Sequence, residues 1–181
     1  VRLCSAGFNL LYSWSYMYAI EGLYKGTGTF ASVLSASKSE YESTPKGCER
    51  MRYVTTHDET SQVAPATVFR TAQGELSAFC LTIFMGGVPM IYSSQDLGYM
   101  NTINFFHYNI LDFAADNTTR NALKELMSIY LNTATLRGGK QSAGTLNSKV
   151  PYLEYEANDK TLLVICNTSN SEQQVKLPMK H

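Results

Sequence analysis

A short apolar segment followed by a helical segment recurs along the chain, and this alternation constrains the fold more than any other feature of the sequence. The three apolar segments are Phe8 to Tyr12, Met51 to Thr56 and Val88 to Tyr92. Apolar residues at spacings of three and four follow each of them. Strands that alternate with helices predict parallel strands joined by right-handed crossovers, and therefore an α/β fold.

The individual segments make more detailed predictions. The third apolar segment is continuous, which is typical of a strand buried on both faces of a parallel sheet. Residues 32 to 44 are rich in Ser and predict either a weak helix or a loop. A longer helix is predicted from Pro65 to Phe84, ending at Gly86. Asp116 and Asn117 are predicted to cap the helix of the last unit.

The pattern changes after Gly139. Residues 152 to 156 and 161 to 165 alternate like two strands and enclose an Asn-Asp turn, which predicts a hairpin, and Gln174 to Leu177 predicts a further strand. We therefore expect residues 1–138 to form the α/β part and residues 139–181 a small, incomplete antiparallel β domain.

Composition excludes several classes of protein. The chain has 15 basic and 15 acidic residues, so it lacks the basic surface that nucleic acids and anionic membranes attract. Its most apolar stretch, Ala78 to Tyr92, is shorter than the roughly 20 residues of a membrane span. No membrane span and no nucleic-acid partner are predicted. No compartment can be assigned.

The four cysteines are widely separated. They are Cys4, Cys48, Cys80 and Cys166, with no C-x-x-C spacing, which disfavours a zinc site and gives no sign of a disulfide framework. Cys80 and Cys166 lie in apolar runs and are predicted to be buried as small hydrophobic residues. No metal site is predicted from these residues.

His57 and Asp58 directly follow the second predicted strand. Functional residues of parallel α/β proteins gather at the carboxyl ends of the strands, so this position favours a role in the site. A His-Asp pair alone is a weak signal, because a carboxylate is equally suited to the start of a helix.

Two longer motifs strengthen the functional interpretation. The segment Tyr53-Val-Thr-Thr-His57-Asp58 resembles the α-amylase superfamily motif in which a strand ends in Asn-His-Asp. Gly87-Val-Pro-Met-Ile-Tyr92-Ser-Ser-Gln95-Asp96 resembles that family's Gly-x-Pro-x-Ile-Tyr-x-Gly-Gln-Glu strand. The departures from the family pattern are Thr56 for Asn, Ser94 for Gly and Asp96 for Glu.

The resemblance to this superfamily, glycoside hydrolase family 13, implies a fold. The chain would hold strands six to eight of a partial (β/α)8 TIM barrel with their helices, followed by the small antiparallel β domain. The sequence before residue 139 has room for about three strand–helix units of 30 or more residues each. Because it opens on Val1 rather than Met, we expect the chain to be a fragment of a longer protein.

The resemblance also implies site residues. Asp58 would be the carboxylate that stabilises the transition state, and His57 would hydrogen-bond the same sugar ring. Tyr12 and Trp14, which follow the first strand, either stack on sugar rings or pack at the rim of the barrel. The implied substrate is an α-glucan or a maltooligosaccharide.

The catalytic carboxyl pair of a retaining glycosidase is not expected within this chain. The family's nucleophile and acid lie at the ends of strands four and five, which would precede Val1. The glutamates Glu21, Glu40, Glu42 and Glu59 are expected to be solvated rather than to replace them. The intact protein would hydrolyse α-glucosidic bonds of starch-like glucans, whereas this chain alone would be inactive. No cofactor is expected here, although calcium could bind in the missing half.

Two alternatives from other classes stay open. The chain could belong to a non-catalytic, carbohydrate-binding relative of the α-amylases. It could also be an unrelated α/β protein whose His57, Asp58 and Glu59 bind a metal ion. In either case, unpaired edges of a partial barrel would favour self-association of the chain.

Overall fold

Two three-stranded sheets, one parallel and one antiparallel, organise the helices of the chain. The computed structural model describes residues 2–114 and 118–177. The mixture of parallel strands, helices and an antiparallel sheet confirms the α/β class. In the described part, no helix is long and apolar enough to cross a membrane.

The elements follow one another in this order. The helices are α1 Arg2–Ser5, α2 Trp14–Lys25, α3 Phe30–Glu42, α4 His57–Thr60, α5 Pro65–Val68, α6 Ala72–Phe84, α7 Thr118–Asn132 and α8 Ala134–Arg137. The strands are β1 Leu10–Leu11, β2 Glu49–Arg52, β3 Val88–Pro89, β4 Lys140–Asn147, β5 Val150–Ala157 and β6 Lys160–Ile165. The predicted cap at Asp116 and Asn117 lies outside the described residues.

The parallel sheet has the order β1-β2-β3, so strands that follow one another in the sequence are neighbours in space. Leu10 pairs with Glu49, and Met51 pairs with Val88. The middle strand lies earlier than predicted, since residues 53 to 56 leave the ladder while they stay buried. The three strands therefore end at one edge of the sheet.

The third strand corrects a prediction. It was expected to be buried on both faces, yet Val88 and Ile91 are each 42% exposed. In the described part of the chain, β3 has a neighbouring strand on the β2 side alone, and Pro89 has no N–H to donate. One side of this apolar segment is therefore uncovered.

Two of the helical regions differ in part from their predictions. Residues 30 to 42 form a regular helix, α3, although the sequence left a loop open. Thr29 and Ser32 form a reciprocal capping box at its start, with distances of 2.9 and 3.2 Å. The single helix predicted from Pro65 to Phe84 is broken into α5 and α6 around Arg70, which has a φ of 75°.

The antiparallel sheet contains the predicted hairpin. Strands β5 and β6 pair through Tyr152 and Ile165, and the turn residues Asn158 and Asp159 both have positive φ, as a type I′ turn requires. Strand β4 was not predicted, because its polar and small residues carry no apolar alternation. Conversely, residues 174 to 177 form no strand.

A single apolar cluster connects the helices with the antiparallel sheet. Leu153, Tyr155 and Val164 of the sheet belong to the same buried cluster as Phe79 and Phe84 of α6. The Tyr155 hydroxyl also donates a hydrogen bond to the Phe84 carbonyl. The β4–β6 sheet is thus packed on the helical layer.

The two cysteines predicted to be buried behave somewhat differently. Cys166 is 3% exposed and belongs to the core, as predicted. Cys80 is partly buried and packs against the same cluster. All four cysteines are free thiols.

Candidate functional site

The ends of the three parallel strands bring aromatic and charged side chains to one edge of the sheet. Tyr12 and Trp14 follow β1, His57 and Asp58 follow β2, and Tyr92 follows β3. These residues form two groups, an aromatic cluster beside β1 and a His-Asp pair beside β2. The predicted site residues are therefore neighbours in the fold, although they are distributed between two groups.

The aromatic cluster consists of Tyr12, Trp14, Tyr18 and Tyr53. The rings of Tyr12 and Trp14 lie 5.5 Å apart and are nearly parallel, with an interplanar angle of 9°. Tyr53 meets both rings edge-on, at 5.6 and 5.9 Å, and Trp14 stacks on Tyr18 at 6.3 Å. Because Tyr12 is 44% exposed, the cluster presents an apolar ring surface to solvent.

Tyr53 anchors this cluster, although no role was predicted for it beyond its place in the motif. Its ring is 1% exposed, and its hydroxyl accepts a hydrogen bond of 3.1 Å from the Ser13 N–H. Burial raises the pKa of Tyr53 and keeps the phenol neutral. The hydrogen bond fixes the backbone immediately before Trp14. The sequence signal for this role is an aromatic residue within the strand predicted from Met51 to Thr56.

His57 and Asp58 form an accessible pair. His57 opens α4, and its Nε2 lies 3.3 Å from the Asp58 Oδ1. The two side chains are 48% and 53% exposed, so both reach solvent. Phe105 meets the His57 ring edge-on at 5.3 Å, and Tyr92 lies 6.5 Å from it. A carboxyl group and an imidazole ring are thereby presented together beside aromatic rings.

Glu59 connects the two groups. Its Oε1 accepts a hydrogen bond of 2.8 Å from the Tyr18 hydroxyl, which joins α4 to the aromatic cluster on α2. This hydrogen bond raises the pKa of Tyr18. Glu59 therefore faces Tyr18, whereas His57 faces Asp58. Within residues 2–114 and 118–177, no group of three or more His, Cys, Asp or Glu side chains is arranged to hold a metal ion.

The loop after β3 is held against α7. The Asp96 carboxylate accepts a hydrogen bond of 2.9 Å from Arg120 Nε, and Arg120 Nη1 donates to the Phe113 carbonyl at 2.7 Å. These two contacts fasten both ends of the loop of residues 93–113, which carries Phe105, to α7. The sequence did not identify Arg120 as the anchor of this loop.

Ser94 shows what one departure from the family motif does. Its φ is 75°, in the left-handed region that glycine adopts most easily, and it occupies the position where the motif has Gly. The residue is buried, and its hydroxyl has no hydrogen-bond partner in the described residues. The backbone conformation that the motif implies is thus present here despite the substitution.

Beneath the site, two glutamates correct the expectation of solvated side chains. Glu21 and Glu40 are 9% and 8% exposed. Glu40 pairs with the fully buried Arg52, the last residue of β2, at 3.2 Å. Glu21 forms an ion pair of 2.7 Å with Lys25 one helical turn away. These carboxylates form ion pairs that support the fold.

Comparison with known proteins gave matches among solved structures. No model of a protein family matches the chain, and no curated protein matches its sequence. A maltogenic α-amylase from Thermotoga neapolitana overlays 92% of the chain with a TM-score of 0.74 at 16% identity. An α-amylase from Lactobacillus plantarum overlays 88% with a TM-score of 0.69 at 15% identity.

A third structure is the cyclic α-maltosyl-(1→6)-maltose hydrolase from Arthrobacter globiformis. It overlays 88% of the chain with a TM-score of 0.71 at 16% identity. The chain spans 39% of the Thermotoga protein and 37% of each of the other two. The chain therefore has the fold of part of the α-amylase structures, as its two strand motifs predicted.

Proposed function

We propose that this chain is part of an α-amylase-type retaining glycoside hydrolase, and that β1, β2 and β3 are strands six to eight of its (β/α)8 barrel. The observation that carries the proposal is the position of His57 and Asp58. The pair follows the middle strand of a parallel sheet, in a fold that overlays α-amylases over about nine tenths of the chain. In barrels of this kind, the carboxyl ends of the strands bear the active site.

Asp58 is the transition-state stabiliser in this proposal. Cleavage of a glycosidic bond develops positive oxocarbenium character on the sugar ring, which a nearby carboxylate stabilises electrostatically. Asp58 is accessible, and its Oδ1 lies 3.3 Å from the Nε2 of His57. His57 would donate to a hydroxyl of the same sugar and hold it against the carboxylate.

The aromatic cluster supplies the apolar part of the site. Sugar rings stack on aromatic rings through their C–H faces, and the exposed face of Tyr12, backed by Trp14, is a suitable surface. A maltooligosaccharide or another α-glucan is the proposed ligand. The Arthrobacter hydrolase and the protein AmyP have both been solved in complex with maltose, which supports this choice of ligand class.

The nucleophile and the acid are proposed to lie outside these residues. A retaining mechanism needs two carboxyl groups about 5 to 5.5 Å apart on either side of the scissile bond. Glu59, the carboxyl group nearest Asp58 in sequence, is engaged by Tyr18. The chain alone should therefore bind a glucan without cleaving it.

Titration of the purified chain with maltoheptaose tests the proposal. Trp14 is the single tryptophan, so its fluorescence reports on the site directly. We expect saturable quenching or enhancement, about tenfold weaker binding for Asp58→Asn, and unchanged binding for Asp159→Asn in the distant β5–β6 turn. Equal affinity in all three proteins, or no saturable signal, would contradict the proposed site. Release of reducing sugar from starch above background would contradict the assignment of nucleophile and acid to another part of the protein.

A further inference from the structure

Two cysteines far apart in the sequence meet at the amino end of the parallel sheet. Cys4 lies on α1, and Cys48 lies in the turn that leads into β2. Both side chains line one cavity of about 330 Å³. The Cys48 Sγ also lies 3.5 Å from the Phe8 carbonyl. Both cysteines are partly exposed, so reagents in solution can reach them.

The remaining two cysteines provide an internal comparison. Cys80 on α6 packs against the buried cluster that contains Cys166, which follows β6. Cys166 is 3% exposed within this apolar core. Cys4 and Cys48 thus line an open cavity whereas Cys166 is enclosed by the core, and access controls how readily a thiol exchanges.

We propose that Cys4 and Cys48 are a redox-active pair that forms an intramolecular disulfide when a low-molecular-weight disulfide is present. One thiolate attacks a sulfur of the small disulfide, which forms a mixed disulfide and releases one small thiolate. The second cysteine thiolate then attacks the protein sulfur of that mixed disulfide and releases the second small thiolate. The protein loses two protons and two electrons, and the small disulfide is reduced to two thiols.

The bond would tie α1 to the start of β2. It closes the chain between positions 4 and 48, a segment that contains β1, α2 and α3. Closing a loop of this length restricts the unfolded chain, so the oxidised protein should unfold at a temperature higher by several degrees. The pair lies at the end of the sheet opposite His57 and Asp58, so oxidation should leave glucan binding unchanged.

Oxidised glutathione on the folded chain tests the proposal. We expect loss of two of the four free thiols, a mass decrease of about 2 Da, and a peptide map that links Cys4 to Cys48. Cys80 and Cys166 should stay reduced until the protein is unfolded. In the variant Cys48→Ser, Cys4 should instead retain one glutathione as a stable adduct.

Three results would overturn the proposal. Glutathione adducts that persist on both Cys4 and Cys48 in the wild type would show that the thiols do not reach each other. A disulfide between two chains as the main product would place the reaction between molecules. A first bond between Cys80 and Cys166 would show that exposure does not select the reactive pair. A circular dichroism spectrum of Cys48→Ser equal to that of the wild type confirms that the variant is folded.

Discussion

The guanidinium of Arg52 lies 3.2 Å from the carboxylate of Glu40 in the interior of the protein. Arg52 is fully buried at the end of β2, and its other nitrogens donate to the Ser37 hydroxyl and the Gly86 carbonyl. The second Glu40 oxygen accepts a hydrogen bond of 3.0 Å from the Tyr16 N–H. This network joins α2, α3 and β2 directly beneath the candidate site.

Removing the charge of Glu40 should leave a buried cation without its counterion. We expect Glu40→Gln, which keeps an acceptor for Tyr16, to lower the free energy of unfolding by about 3–5 kcal/mol. Glu42→Gln is the matched control, because Glu42 lies on the same helix in an exposed pair with Lys38 and should change stability by less than about 0.5 kcal/mol. Urea denaturation measures both, and equal effects would show that the buried pair has no special weight.

Glu75 predicts a pH dependence of stability. The residue is 1% exposed in the first turns of α6, and no hydrogen-bond donor within the described residues reaches its carboxyl oxygens. Burial raises its pKa to about 8, above the unfolded value of 4.5. Between pH 4.5 and about 8 the unfolded chain binds fewer protons than the folded protein. The stability that Glu75 contributes is therefore fully present below pH 4.5 and is lost as pH rises to about 8.

The measurement is a series of unfolding curves from pH 5 to pH 8. The wild type should lose on the order of 1 kcal/mol per pH unit through this group, whereas Glu75→Gln should lack that slope and be the more stable protein at pH 8. Glu125→Gln, on the exposed face of α7, should keep the wild-type slope. If the free energies of unfolding of the wild type and of Glu75→Gln changed in parallel with pH, titration of Glu75 would be ruled out.

The sequence could predict those parts of the fold whose cause is local. The strand–helix alternation and the Asn158-Asp159 turn depend on residues close in sequence. Both are present, although β2 begins two residues earlier than predicted and the helix predicted from Pro65 to Phe84 is divided into α5 and α6. By contrast, the Arg52–Glu40 pair joins positions on separate elements, and β4 is held by pairing with β5 rather than by an apolar pattern. The exposure of Val88 likewise depends on which strands are present beside β3.

The candidate site divides in the same way. His57 and Asp58 were predicted from a linear motif, because the two residues are adjacent in the sequence after one predicted strand. Tyr53 and Phe105 complete the site through ring contacts across elements, which residue spacing does not reveal. The predicted role of Asp58 in chemistry stays a prediction until binding is measured.

Two adjacent glycines after α6 should differ in their tolerance of a methyl group. Gly86 and Gly87 have φ values of 91° and 93°, so alanine at either position adopts a strained conformation that costs about 1–2 kcal/mol. A Cβ at Gly87 would also lie 2.4 Å from the Arg50 carbonyl oxygen, whereas a Cβ at Gly86 would approach only the Tyr41 hydroxyl, at 3.5 Å. We therefore expect Gly87→Ala to lower the unfolding free energy by at least twice as much as Gly86→Ala. Equal losses in thermal denaturation would show that φ alone accounts for both.

The substitution Tyr53→Phe should distinguish the contribution of the Tyr53 hydroxyl from that of its ring. The variant keeps the edge-on ring contacts but leaves the Ser13 N–H without its acceptor, which costs about 1–3 kcal/mol in a buried setting. Because that N–H immediately precedes Trp14, maltoheptaose binding should weaken by about threefold and the Trp14 emission should shift. Tyr108→Phe, in which the residue is 92% exposed, should change neither. If Tyr53→Phe had the stability, maltoheptaose binding and Trp14 emission of the wild type, the hydroxyl would not position Trp14.

The uncovered side of β3 predicts that the chain self-associates. In the described part of the chain, no strand pairs with the outer edge of β1 or of β3, and unpaired strand edges recruit other chains. Next to β3 lies an apolar groove of about 560 Å³, which is lined by Ile91 and by residues of α7 that include Leu131. We expect light scattering to show a mass that rises with concentration, and Leu131→Lys to reduce the associated fraction several-fold, because a charge in the groove opposes its burial. Leu177→Lys, at an exposed position outside both sheets, should associate like the wild type. A wild-type chain that stays monomeric at high concentration would show that these edges are protected in another way.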